Sequence, residues 1–193
     1  MDDLRALVGH VNNPLLEVIK DAHANFSLWR KLKIAKTDKN TIRIMNRYVL
    51  FFGNALRSFL LTLIVSLYKL LDDKVKDTNN LRKLVSLARS QPNFSKETLD
   101  KLDELSLRAK TIWKKVRILR HKYFAHLEFN LDEEELWKKA NITPDELEQL
   151  IHLCLEIFNT IRYEYGEGEL PLISFDEDID NLFSHLSKGN IEY

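Results

Sequence analysis

Along most of the chain, apolar residues recur at three- and four-residue intervals between short polar runs, the pattern of successive amphipathic helices. Asp2 to about Ala35 reads as a long first helix, bent near Asn12-Asn13-Pro14, because proline removes a backbone donor and disfavours helix just before it. Thr37-Asp38-Lys39-Asn40 supplies capping side chains for a second long helix that reaches about Val75. A short third helix starts at Thr78-Asn79-Asn80 and ends near Ser90-Gln91-Pro92-Asn93, and Ser95 then caps a long fourth helix through Leu127. Asp132 and Glu135 have capping-box spacing and predict a short fifth helix. Thr143-Pro144-Asp145-Glu146 combines a cap, a proline at the first helical position and a glutamate at the third. It opens a sixth helix that runs to Tyr165, where Gly166-Glu167-Gly168 stops it. Ser174 and Glu177 open a last helix over Phe175 to Leu186, and only Leu170-Pro171-Leu172-Ile173 reads as extended. The chain is therefore expected to be all-α: a single up-and-down helical bundle of long antiparallel helices with shorter accessory ones. It is read as one domain over 1–193, with 173–193 as a C-terminal accessory helix.

The most apolar stretch, Tyr48 to Leu71, raises the question of a membrane span. Arg57 and Lys69 interrupt it and leave only Ser58 to Tyr68 between charges, short of the about 20 residues a spanning helix needs. A buried core helix is expected instead, with the helically spaced Tyr48, Phe51, Phe52 and Phe59 in the core, and no membrane partner. Five glycines and four prolines are too few for the turns of an all-β chain. The 29 basic and 29 acidic residues balance, so any electrostatic function has to come from local segregation of charge. Cys154 is the lone cysteine and rules out an internal disulfide; with the acidic start at Asp2 and Asp3, the expected location is the cytoplasm.

Charge segregates on the fourth helix. Leu105 to Leu127 carries Arg108, Lys110, Lys114, Lys115, Arg117, Arg120 and Lys122 without one acid, and Glu128, Asp132, Glu133, Glu134 and Glu135 follow. Such a strip either attracts a phosphate backbone or is a solvated face balanced by acidic neighbours. On an ideal helix of about 100° per residue, Leu102, Leu105, Ala109, Ile112, Trp113, Val116, Leu119, Tyr123, Phe124 and Leu127 share one apolar arc. Lys110, Lys114, Arg117 and His121 fall opposite. Arg120 lands inside the arc and His126 at its margin, beside Leu119. A guanidinium on a burying face is costly without a partner, so Arg120 meets an internal carboxylate or lines a cleft that a phosphate can enter. His126 is either a hydrogen-bonded histidine at the core edge or a proton-transfer group with a pKa near neutrality.

The string Arg120-His121-Lys122-Tyr123-Phe124-Ala125-His126 resembles the Arg-x(4–6)-His motif of the HEPN superfamily, small helical domains many of which are RNases of toxin–antitoxin and phage-defence systems. With Leu67-Tyr68-Lys69-Leu70-Leu71-Asp72 ending a long helix, and with the helix order, residues 1 to 165 resemble the abortive-infection, U-type branch. Arg5 and His10 share the bare spacing, but the later match lies at the end of a long amphipathic helix, with a polar residue after the arginine and Ala125 before the histidine. The resemblance implies that Arg120 holds the scissile phosphate, that His126 is the catalytic histidine, and that His121 and Lys122 support them. The branch paired with nucleotidyltransferases carries a tyrosine two residues past the histidine; Glu128 stands there, so regulation through that tyrosine is not expected.

The expected function is a metal-independent endoribonuclease, a toxin or phage-defence effector with no cofactor and no metal, to which Lys110, Lys114 and Arg117 guide RNA. One base that removes the ribose 2′-hydroxyl proton and one acid that protonates the leaving oxygen suffice for such a cut. A single copy offers only His126 in a favourable place, so a homodimer that pools two motifs around one phosphate is expected. An antitoxin protein is the other partner the resemblance implies. The alternative is a non-catalytic HEPN-like module that dimerises and binds a partner protein or RNA. Other chemistry finds little support. Glu148, His152 and Glu156 stand four apart, a spacing that charge pairing on a solvated helix explains, and no His-Glu-x-x-His, cysteine cluster or phosphate-binding glycine loop exists.

Overall fold

In a computed structural model, residues 4, 8, 13–35, 38–72, 80–125, 133–172 and 176–188 are described. Eight helices and no strand occur among them: α1 (Pro14–Ala35), α2 (Lys39–Arg47), α3 (Val49–Leu71), α4 (Leu81–Arg89), α5 (Lys96–Ala125), α6 (Glu133–Ala140), α7 (Pro144–Tyr163) and α8 (Asp176–Lys188). The protein is all-α, as its periodicity requires. The four long helices close a ring in chain order: α1 packs on α3, α3 on α5, α5 on α7 and α7 back on α1. The short α4 and α6 fill flanks of the ring, and α8 lies against α1 and α2.

Local chemistry sets the helix ends. Asn13 turns its side-chain oxygen onto the N–H groups of Leu15 and Leu16, so Asn13-Pro14 starts α1, where a bend within a longer helix was expected. Asp38 caps α2 through the Thr41 N–H, Asn80 caps α4 through Lys83, and Ser95 accepts from Thr98 at the start of α5. Thr143 and Glu146 make the full reciprocal box at the start of α7. Gly166 ends that helix at φ 72°, the left-handed conformation that a side chain resists. Asp132 and Ser174, read as caps, lie outside the described residues.

The second predicted helix is in fact two. The chain turns at Tyr48 (φ −116°, ψ 43°), whose N–H still bonds to the Ile44 carbonyl while its own carbonyl accepts from Phe52. The turn lets Ile44, Met45 and Phe52 form a small apolar cluster with Leu32 and with Ile179 of α8, where Phe52 stacks on Phe183. Tyr48 and Phe51 are exposed, not core as expected. By length and composition α3 is also, among the described residues, the helix apolar enough to cross a membrane. Its later residues Leu60, Leu63, Ile64, Leu67 and Leu70 are buried nonetheless, so the core reading holds for that half only.

The main core gathers Leu16, Phe26, Leu63, Leu67, Leu102, Leu119 and Phe158, all fully buried, from the four long helices. Burying a side chain such as Phe158 stabilises the bundle by about 1.5–3 kcal/mol. Arg162, also buried, donates to the carbonyls of Val8 and Gly168 and pairs with Glu167 at 3.4 Å, which ties the end of α7 to the following loop.

Between α5 and α7, Lys115 pairs with Glu146. Burial pushes the Glu146 carboxyl up, but the Lys115 ammonium and the Thr143 N–H outweigh it and hold the group below its ordinary 4.5. A depressed carboxylate stabilises the fold above its unfolded pKa, and that contribution is lost as the pH falls through the folded value. Glu146→Gln is therefore expected to melt below wild type at neutral pH and to converge with it in acid. Thermal midpoints measured across the acid range test this; a gap that stays constant with pH is the contrary result.

Candidate functional site

Helix α5 carries the predicted site residues, and its amphipathicity places them. Leu102, Leu105, Ala109, Ile112, Trp113, Val116, Leu119 and Tyr123 are all buried, which is the predicted arc as far as its side chains are described. Lys110, Lys114, Arg117 and His121 line the opposite, exposed stripe, and Lys122 is exposed next to it. Neighbouring acids neutralise only part of the strip. Arg108 pairs with Glu104 at 3.6 Å and Lys115 with Glu146, whereas Lys110, Lys114 and Lys122 make no ion pair with a described residue. Among the described residues the strip thus keeps an excess of positive charge, on a chain of zero net charge.

Arg120 is half-buried, as its position inside the apolar arc implies, and one of its contacts is aromatic. Its guanidinium carbon lies 4.1 Å from the centre of the Tyr68 ring on α3. Tyr68 in turn stacks on Trp113 of α5, with ring centres 5.7 Å apart and planes at 25°, and the Trp113 indole N–H donates to the Tyr68 carbonyl at 3.1 Å. Two more arginines lie over Trp113: Arg82 of α4 at 5.0 Å and Arg117 at 5.8 Å. The negative faces of two buried rings therefore hold three guanidinium groups drawn from two helices, at about 1–2 kcal/mol for a partly desolvated pair. A planar guanidinium suits both a ring face and the two oxygens of a phosphate.

The connection from α3 to α4 builds this corner. The Asn80 amide donates to the Asp72 carbonyl at 2.7 Å, while its oxygen caps α4, so the first turn of α4 is tied to the last turn of α3. Arg82 follows one residue into that turn. Sequence reasoning missed Arg82, because nothing in its local pattern distinguishes it from any solvated arginine. Trp113 and Tyr68 were visible, the first only as a core residue.

His126 lies outside the described residues, as do Arg5 and His10. His121 is exposed one residue beyond Arg120, about 100° around the helix, so Arg120 and His121 diverge. The fold thus brings Arg120 and Arg117 together with Arg82, and leaves His121 and Lys122 on the open side.

A separate cleft of about 750 Å³ opens between α1, α2, α7 and α8, lined in part by His23, Arg30, Lys31, Glu148 and His152. Its cations are already compensated: Arg30 pairs with Glu148 and with Asp145, and Lys31 with Asp180 at 2.9 Å. An internally neutralised cleft has little attraction for a polyanion. Glu156, the third residue of the spacing noted above, pairs with Lys101 at 3.2 Å, and no cluster of three metal-ligating side chains occurs among the described residues. Burial pushes the Cys154 thiol far up, so it is an inert core group.

Compared with known proteins, the chain matches the AbiU2 family of HEPN domains over residues 4–186. No curated protein and no solved structure matches it. The chain belongs to the AbiU2 HEPN family, an abortive-infection family, and the match extends past the 1–165 on which the resemblance rested, into α8.

Proposed function

We propose that this AbiU2-family protein is a metal-independent endoribonuclease, a toxin or phage-defence effector whose active site is shared by two protomers. The observation that carries the reading is Arg120: a half-buried guanidinium over the Tyr68 ring, at the end of a basic strip that the described acids pair only in part. Family membership supports the assignment of Arg120 and His126 to the motif, and the exposed Lys110, Lys114 and Arg117 supply an approach for the RNA backbone.

In this mechanism one histidine takes the proton from the ribose 2′-hydroxyl, and that oxygen attacks the adjacent phosphorus. The bond from phosphorus to the 5′-oxygen breaks, and a second proton donor protonates the leaving oxygen. Arg120 offsets the charge that builds on the non-bridging oxygens, and Arg117 and Arg82 raise the local field beside it. One protomer brings one motif histidine, so His126 of each of two copies fills the base and acid roles across a two-fold axis. His121 and Lys122 contact the RNA outside the scissile phosphate. An antitoxin protein would act by covering the strip.

The products define the test. Full-length protein incubated with RNA in excess EDTA is expected to leave 2′,3′-cyclic phosphate and 5′-hydroxyl ends, and His126→Ala is expected to leave RNA intact. Cleavage that needs added magnesium, or that leaves 5′-phosphates, overturns the mechanism. RNA that wild type binds but never cuts favours the non-catalytic module.

A further inference from the structure

The first turn of α3 points away from the core. Val49, Leu50 and Phe51 are 61%, 80% and 64% exposed, and Tyr48 before them is 43% exposed. Consecutive apolar side chains this open, at a helix tip, form a protrusion and not a groove, and a contiguous patch of this kind marks an interaction surface. Within α2 and α3 the charges have one sign, while the exposed acids that border the elbow are the α2 cap Asp38 and Glu177, Asp178 and Asp180 of α8, which packs on α2. From Lys39 to Leu71 the chain carries Lys39, Arg43, Arg47, Arg57 and Lys69 and no acidic residue. Lys39, Arg43 and Arg57 are exposed and make no ion pair with a described residue. Arg57 lies two turns from Leu50, on the same stripe of α3.

We propose that this α2–α3 elbow docks on an anionic lipid bilayer. Leu50 and Phe51 enter the boundary between headgroups and acyl chains, while Lys39, Arg43 and Arg57 meet lipid phosphates. An apolar tip beside exposed cations is the combination by which interfacial helices hold acidic membranes. A second copy of the chain suits the elbow less, because a two-fold contact would set these cations against their own twins. A partner helix needs a groove, and these side chains project. Spanning is incompatible with the packing, since Leu60, Leu63, Ile64, Leu67 and Leu70 of the same helix are buried in the bundle. Seventeen residues separate Phe51 from Tyr68, about 25 Å of helix, so the docking surface is distinct from the Arg120 corner and independent of any nuclease activity. A membrane partner is thus proposed where none was expected.

Vesicle flotation with the full-length protein tests this. Wild type is expected to float with vesicles of equal parts phosphatidylcholine and phosphatidylglycerol, and to stay behind with phosphatidylcholine alone. Leu50→Glu with Phe51→Glu is expected to abolish flotation, and Arg43→Glu with Arg57→Glu to weaken it by ~25-fold or more, with loss of the wild-type signal at high salt. All four positions are exposed, and unchanged circular dichroism establishes that the variants fold. The proposal is overturned if wild type does not float, if it floats equally with neutral vesicles, or if the Leu50 and Phe51 variant floats like wild type. It is equally overturned if wild type ignores vesicles but forms an oligomer that the same variant breaks, in which case the occupant is a second copy.

Discussion

Arg120→Lys is expected to lower RNA cleavage by about 10²–10³-fold, almost as far as Arg120→Ala, although the charge is kept. The Tyr68 ring is the reason. The Arg120 guanidinium carbon lies over the ring, 4.1 Å from its centre, and a planar guanidinium can both cover a ring face and present in-plane donors. An ammonium is a compact, strongly hydrated point charge that cannot both cover the ring and offer a fork to two phosphate oxygens. Tyr68 is a positioning residue in this scheme, which separates two substitutions. Tyr68→Phe keeps the ring face and is expected to retain most activity, whereas Tyr68→Leu removes the face and is expected to lower kcat with little change in KM. Single-turnover rates at saturating RNA, with binding measured separately, give these values. Wild-type rates for Arg120→Lys show that charge alone suffices; a loss confined to KM shows that Arg120 binds RNA without acting in the transition state.

Much of this corner was legible in the sequence because it follows from one periodicity. Every described side chain of the α5 arc is buried, from Leu102 to Tyr123, and Arg120 is half-buried among them, as a cation at that angle has to be. What was not legible was its partner. A carboxylate or a cleft was expected; the contact on Tyr68 is an aromatic face from another helix, and helical period says nothing about which residue of α3 lies across from α5. Arg82 was invisible for the same reason: it enters through the Asn80–Asp72 tie, a tertiary contact. The break at Tyr48 was missed because the apolar period continues through it. Residues 39–71 hold neither proline nor a cap at that point, and the turn is set by the cluster of Met45, Phe52 and Ile179 against α8. Missing the break hid the exposed tip, since Tyr48 to Phe51 read as core only while α2 and α3 are taken as one helix.

Trp113→Ala is expected to cost about 3–5 kcal/mol of stability, the range for truncating a buried large aromatic. For a chain of this size that lowers the thermal midpoint by roughly 6–20 °C. The loss has three parts: the cavity left by a fully packed indole, the stack on Tyr68, and the hydrogen bond to the Tyr68 carbonyl. Trp113→Phe restores most of the volume and the stack but not the hydrogen bond, so it is expected to fall between. Trp113 backs the ring on which Arg120 lies, so its removal should also lower cleavage at temperatures where the variant is fully folded. Phe158→Ala is the control, with a comparable loss of stability at a fully buried residue of α7. Measured the same number of degrees below each midpoint, Phe158→Ala is expected to cut RNA at near wild-type rates and Trp113→Ala to cut slowly. Equal rates in the two variants would leave Trp113 as a core residue and remove it from the placement of Arg120. A Trp113→Ala midpoint unchanged from wild type would mean that the α3–α5 contact is held elsewhere.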